Sequence, residues 1–414
     1  MISQQLNDQI TRVGPAEPAG RVLRHYWQPA ALVDELEGRA KVPVNLMGER
    51  LALVQDTGGA LSLATRVAQA SEPSAHYPEP GAITIDPDGP RYPVVAQKGI
   101  VFAYMGPGDP PPFPNFDCFR APDTHVFAFK GLWHCNWLQA LEIGIDPAHA
   151  SFLHRFLEDD DPEDGYGKQF RDKAAHTDMP MTQILREYPR PDIEVEETGY
   201  GLKITALRHM ENDLTHVRVT NQIFPDAICI PMSREMTITQ WHVPVDDETC
   251  YWYTLFTSFQ KPVDKDVMRA QRLKEHRLPD YAPLKNKSND YHFDPEEQER
   301  LTYTGMGLDI NVHDQWAVEG MGPIQDRTRE HLGRSDVAII RYRRMLRQAI
   351  KAVEDGNQDS LLMQKDAEVA GIIGPLSNDA IASTHDWDAS SWQADMQRRD
   401  ACPWDASVGS DHRQ

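Results

Sequence analysis

At 414 residues and 46.9 kDa the chain is larger than one hydrophobic core usually organises and suits about two domains. A hydrophobic content of 40%, with 9 Trp and 13 Phe, supplies enough apolar surface to exclude global disorder. Lys and Arg total 42 against 63 Asp and Glu, and the formal charge of -21 repels nucleic acid and anionic membranes, leaving small molecules as the expected ligands.

Residues 1–12 hold no apolar stretch, and later runs such as 99–105 fall far short of the roughly 20 residues of a spanning helix, so no secretion or membrane segment is expected. Short apolar runs at 44–47, 51–54, 61–64, 83–85 and 100–105 predict a small antiparallel β region between residues 41 and 104. The runs on either side of Asp56, Thr57, Gly58 and Gly59 predict a hairpin. The segment 106–114, GPGDPPPFP, can continue neither a helix nor a central strand and places a domain boundary there.

After Trp133 a helical stretch carries Leu138, Leu141, Ile145, Phe152 and Phe156. Alternating segments at 193–196, 202–207, 217–223, 236–243 and 251–259 predict an antiparallel meander, with Gly199 and Gly201 marking one turn. Residues 264–275 predict a helix, and 335–353 a long amphipathic one with Ile339, Tyr342, Leu346, Ala349 and Val353 on its apolar face. Beyond Glu354 the sequence is polar and aperiodic, which predicts a tail lying over the surface or partly disordered. The expected fold class is α+β, with a β domain over 1–115, a larger domain over 116–353 and a tail over 354–414. Five scattered cysteines, Cys118, Cys135, Cys229, Cys250 and Cys402, form no C-x-x-C or C-x-H pair, which predicts reduced thiols and a cytoplasmic setting.

The sharpest chemical signal is the segment 146–154, DPAHASFLH, a D-x-x-H-x-x-x-x-H pattern. Asp146 before Pro147 suits a helix start, since Asp caps free N–H groups and Pro fits the first helical position. Residues five apart on a regular α-helix diverge by roughly 140°, so His149 and His154 meet at one ion only where the helix is widened, as by a π-bulge, or interrupted. Two imidazoles and one carboxylate, which need not be local, form the 2-His-1-carboxylate site that leaves positions open on Fe(II). The alternative is a pair of buried helix histidines bonded to backbone. Arg208 shares strand parity with Leu202, Ile204 and Ala206, and is a candidate for pairing with a substrate carboxylate from the sheet's concave side, or else for a solvated strand end. Glu142, one turn before Asp146, is a candidate hydrogen-bonding group near the iron, or else a structural helix carboxylate.

The segment 134–146, HCNWLQALEIGID, running into Ser151 to His154, resembles the catalytic-domain signature of Rieske-type aromatic ring-hydroxylating oxygenases, alpha subunit, of the phthalate dioxygenase-like group. Three further stretches share the resemblance: TRVGP at 11–15 with LRHYW at 23–27, GIVFAYMGP at 99–107, and GPIQDRTREHLGRSD at 322–336. The resemblance implies a helix-grip catalytic domain in which His149 and His154 ligate one mononuclear Fe(II). The third ligand it implies is Asp314 of the segment 313–319, HDQWAVE, with Asp309, Glu319 and Asp326 as alternatives. Asp146 is similar to the family's bridging aspartate, which hydrogen-bonds an iron-ligating histidine and links it to a neighbouring subunit's Rieske centre; a plain helix cap is its other reading. The implied reaction is hydroxylation or oxidative demethylation of an aromatic acid with O2, in a homotrimer or hexamer served by a reductase or a Rieske or ferredoxin donor.

One departure stands out. The family's N-terminal domain carries C-x-H and C-x-x-H, the ligands of a Rieske [2Fe-2S] cluster. Here the corresponding interval, 65–91, holds only His76 and no cysteine, so no such cluster is expected in this chain, and His76 is expected to be a surface residue. Reductive dioxygen cleavage on one Fe(II) takes two external electrons per turnover. The open readings are a cluster donated in trans, cluster-independent iron chemistry, a catalytically silent subunit or scaffold, and a shortened gene model.

Overall fold

The computed structural model describes residues 1–67, 83–158, 179–232, 235–372 and 374–407; His76 lies outside them. The architecture is α+β. Two short helices, Gln4–Thr11 and Pro18–Arg24, precede two small antiparallel sheets. One orders Gln28–Leu32, Ile100–Ala103 and Val94–Gln97, and the other is built on Lys41–Leu46, Glu49–Gln55 and Leu61–Val67. The expected hairpin is present, with Leu53 opposite Leu63. Asp56 closes its turn by accepting the N–H groups of Gly58 and Ala60 at 2.8 Å each.

The main sheet has eight antiparallel strands. Its path runs Asp192–Thr198, Gly201–His209, Leu214–Ile223, Ala227–Pro231, Met236–Pro244, Cys250–Ser258 and Val126–Trp133. The central strand Met236–Pro244 is buried on both faces after its first residue, so it reads as a continuous rather than an alternating run. One face meets the N-terminal sheets: Trp241 packs on Phe102 at 5.5 Å between ring centroids, and Tyr253 donates its hydroxyl to Ala30 O at 2.9 Å. The other face takes the Trp137–Gly144 helix, against which the Ile310–Gly320 helix packs. Gly144 permits this approach, because a Cβ there would lie 2.7 Å from Ile228 Cδ1.

Three expectations change. The helical stretch after Trp133 is not continuous: it ends at Gly144 and resumes as one turn, Ala150–Leu153, and Phe152 is exposed rather than part of an apolar face. The meander gains Ala227–Pro231, five residues long and too short for periodicity to reveal. The segment after Glu354 is not a surface tail throughout. Asn378–Ser383 pairs with Leu214–Val219, covering the part of that edge which Ala227–Pro231 leaves open. The Trp387–Asp400 helix then anchors through Arg399, which is buried against Asp117 (2.6 Å) and Asp395 (2.8 Å). Trp404 donates to Ser258 O at 3.0 Å. Among the described residues no helix is long and apolar enough to cross a membrane.

Candidate metal centre

The break between the two helices is written in the sequence Asp146–Pro147. Asp146 accepts the N–H of Ala148 at 2.8 Å and of His149 at 3.0 Å through its two carboxylate oxygens, which satisfies the free donors of the coming turn. His149 begins that turn, and His154 follows it with non-helical backbone. Interruption therefore does what a π-bulge was expected to do: the two rings converge, with Nε2 of His149 3.2 Å from Nε2 of His154. The Nδ1–H of His149 donates to the backbone carbonyl of Asp146, which can only accept, so Nε2 keeps its lone pair.

The third group comes from the Ile310–Gly320 helix, capped by Asp309 on the N–H of Asn311 at 2.9 Å. One turn in, Asp314 Oδ1 stands 3.6 Å from His149 Nε2 and 3.3 Å from His154 Nε2. Among the described residues His149, His154 and Asp314 are the group whose ligand atoms all lie within 4.8 Å of one another. Burial works to raise the Asp314 carboxyl, but the adjacent imidazoles outweigh it and hold it below the usual carboxylate value. Burial likewise holds His149 below the ordinary histidine value, against the pull of Asp314.

The other candidate carboxylates are engaged elsewhere. Asp309 is paired with Arg272. Glu319 accepts from the N–H of His134 at 2.9 Å and the hydroxyl of Tyr291 at 2.6 Å, and Asp326 is exposed. Glu142 is not at the cluster: it turns to Arg327 at 2.8 Å and Arg343 at 2.5 Å in a buried ion-pair group, the structural alternative for this residue. Arg208 does not line the cavity. Its Nη2 donates to Pro147 O at 3.2 Å and Ser151 Oγ at 3.1 Å, and so holds the turn that carries His149. The carboxylate of Asp146 meets backbone N–H groups, and its contact with the His149 ring is made by its carbonyl.

The three ligand atoms open onto a cavity of about 80 Å³. Its walls are apolar at Trp133, Ile143, Ile228, Ile230, Ile238 and Ile310, and polar at Arg218, Gln240 and His242. His242 accepts from the Gln240 amide at 3.3 Å, and burial pushes its pKa down to about 3, so it stays neutral. Arg218, Gln240 and His242 went unnoticed in the sequence; the available signal was strand parity, which puts Arg218 in step with Thr220 and Gln240 in step with His242. A larger mixed-charge groove of about 660 Å³, between Asp34 and Arg269, lies apart from the three ligand atoms.

Residues 103–401 match the family model described as LigXa C-terminal domain like. The chain belongs to the family of Rieske-type oxygenase alpha subunits. Within that family it is 28% identical over 398 residues to the phthalate 4,5-dioxygenase oxygenase subunit of Pseudomonas putida, covering 86% of this chain and 88% of that one. To the 5,5'-dehydrodivanillate O-demethylase oxygenase subunit of Sphingobium sp. it is 26% identical over 406 residues, covering 89% and 85%. The fold is similar to that of NdmA from Pseudomonas putida CBB5 with caffeine, at a TM-score of 0.50, 15% identity and coverage of 83% of this chain and 96% of that one. As a Rieske-type alpha subunit the chain is an oxygenase component, and the Asp146–His154 turn lies inside the matched region.

Proposed function

We propose that the chain uses O2 to hydroxylate or oxidatively demethylate an aromatic, carboxylated substrate, with His149, His154 and Asp314 holding one Fe(II). The observation that carries this reading is the convergence of two imidazole nitrogens and one carboxylate oxygen on an apolar cavity. Ligands bonding one ion at about 2.1 Å and at right angles stand about 3 Å apart, and the separations here are 3.2, 3.3 and 3.6 Å. Asp314 Oδ1 is buried without a well-formed hydrogen bond, as suits an atom reserved for a cation. Two neutral imidazoles and a carboxylate suit Fe(II) and leave positions open for dioxygen beside the substrate.

Bound iron would supply the activation of dioxygen. The chain's own residues do the rest. The carbonyl of Asp146 fixes the tautomer and plane of His149, and Arg208 holds the turn beneath it. The isoleucine wall keeps water from the ring of the substrate. Arg218 is the cavity's cation and would take a carboxylate.

Residues 1–117 contain no cysteine, so this stretch has no thiolate for a Rieske cluster. The electrons therefore come from a partner's iron-sulfur centre, on a reductase or a Rieske or ferredoxin protein. The relatives' description as oxygenase subunits supports a separable donor. The chain would work in the cytoplasm, as a homotrimer or hexamer, as the family resemblance implies.

Oxygen uptake by the iron-loaded protein with a panel of aromatic carboxylates tests the reading. Uptake is expected only when a Rieske-containing donor and its reductase are present. Undiminished turnover without the donor would contradict donation in trans and favour cluster-independent chemistry. No uptake with any substrate and donor would favour the silent scaffold.

A further inference from the structure

Arg218 is held in place by a segment far from it in the chain. On the strand Leu214–Ile223 the positions His216 and Arg218 lie opposite Arg208 and Ala206 of the neighbouring strand, and opposite Ile381 and Asp379 of the C-terminal strand. Arg218 Nη1 donates to Asp379 Oδ2 at 2.6 Å, and Arg218 Nη2 to Pro231 O at 2.6 Å. The other oxygen of Asp379 meets His216 Nε2 at 3.0 Å. Two of the five guanidinium hydrogens are thereby committed among the described residues, and the others can serve a ligand in the cavity that Arg218 lines. Arg218 also borders an adjoining apolar recess formed by Phe156, Met181 and Leu185, so it stands where the two spaces meet.

Strand pairing alone does not call for an acid at position 379. The backbone makes the ladder, and a carboxylate with 5% side-chain exposure costs desolvation that an apolar residue would avoid. Burial and Asp379 pull the pKa of His216 in opposite directions, and burial wins. His216 is therefore neutral, and the charge of Asp379 acts on Arg218, which it bonds directly, and on the buried Arg208 beside it.

We propose that Asp379 is a specificity-determining positioning residue, which clamps Arg218 from the C-terminal strand so that its guanidinium fork meets the carboxylate of the substrate. The strand Asn378–Ser383 would then build part of the substrate site rather than cover the surface. This inference rests on the proposed carboxylated substrate, and the test separates the two.

Binding of benzoate and of benzamide, alike in shape and different in charge, is measured by calorimetry on the iron-loaded full chain. The wild type is expected to prefer benzoate, and Arg218→Gln to erase the preference. Asp379→Asn leaves the cavity more positive, yet it is expected to cut the preference about tenfold, or about 1.4 kcal/mol, because the charge-assisted bidentate contact is weakened when the fork is misaligned. An unchanged preference with a lower melting temperature would make Asp379 a strand residue only, and a raised preference would make it only a counter-charge; either overturns the proposal. Asp379→Glu, which keeps the charge one methylene out of place, is the second variant and should lose the preference as well; full retention overturns the proposal. A preference that survives in Arg218→Gln would instead remove the carboxylate reading of the function.

Discussion

Asp226 shows what burial does to one ionisable group. Its carboxyl oxygens make no well-formed hydrogen bond among the described residues, and burial, partly offset by the Gln28 side chain, pushes its pKa up to about 8. The folded value lies above the unfolded 3.8, so the neutral form stabilises the fold fully below pH 3.8, and that stability is lost as pH rises through about 8. Thermal melts from pH 6 to 9 should show a falling melting temperature in the wild type and a flatter line in Asp226→Asn; parallel lines would contradict the assignment. Glu142 is a second case. Replacing it by alanine strands the buried charge of Arg327 and leaves Arg343 with Glu330 alone, and should cost about 3–5 kcal/mol in urea denaturation. Native protein should keep its iron; loss of iron at unchanged stability would return Glu142 to the metal centre. Glu142 and Asp146 look alike in the sequence because the partners of Glu142 are 185 and 201 residues away, beyond any local pattern.

At the scale of elements, legibility followed the range of the interaction that decides each one. The 51–54 hairpin, the Lys265–Arg272 helix capped by Asp264, and the Val337–Glu354 helix are set by neighbouring residues, and the sequence shows them. The break at Asp146–Pro147 is local too, and it explains why histidines five apart converge. The strand Asn378–Ser383 is not local: its polar sequence becomes a strand only because an open edge awaits it more than 150 residues earlier. Arg208 lies between these cases. Its strand parity is legible, its grip on Pro147 and Ser151 is not. Arg208→Ala should loosen the turn and weaken iron binding about 10- to 100-fold, as removal of the groups that orient metal ligands generally does. Titration of the apoprotein with Fe(II) under nitrogen checks this, and unchanged affinity would confine Arg208 to packing.

For the molecule as a whole, composition restricted the ligand and did not identify it. A charge of -21 directs the chain away from nucleic acid, while the cavity that matters presents a guanidinium inside an acidic protein. One continuous core runs from Ile10 and Leu32 through Phe102 to Trp241 and Leu346, so the N-terminal sheets brace the main sheet, with Lys130 and Glu35 buried in an ion pair across the contact. The absence of cysteine before Cys118 is a feature of the sequence alone, and the proposal of a partner's iron-sulfur centre rests on it.

The central claim is that one ferrous ion is held by side chains from two separate helices. Iron analysis of the wild type and of Asp314→Ala, each loaded with Fe(II) under nitrogen and desalted, tests it most directly. About one iron per wild-type chain is expected, and almost none in the variant at unchanged folding. Equal iron in both, or none in the wild type, would contradict it.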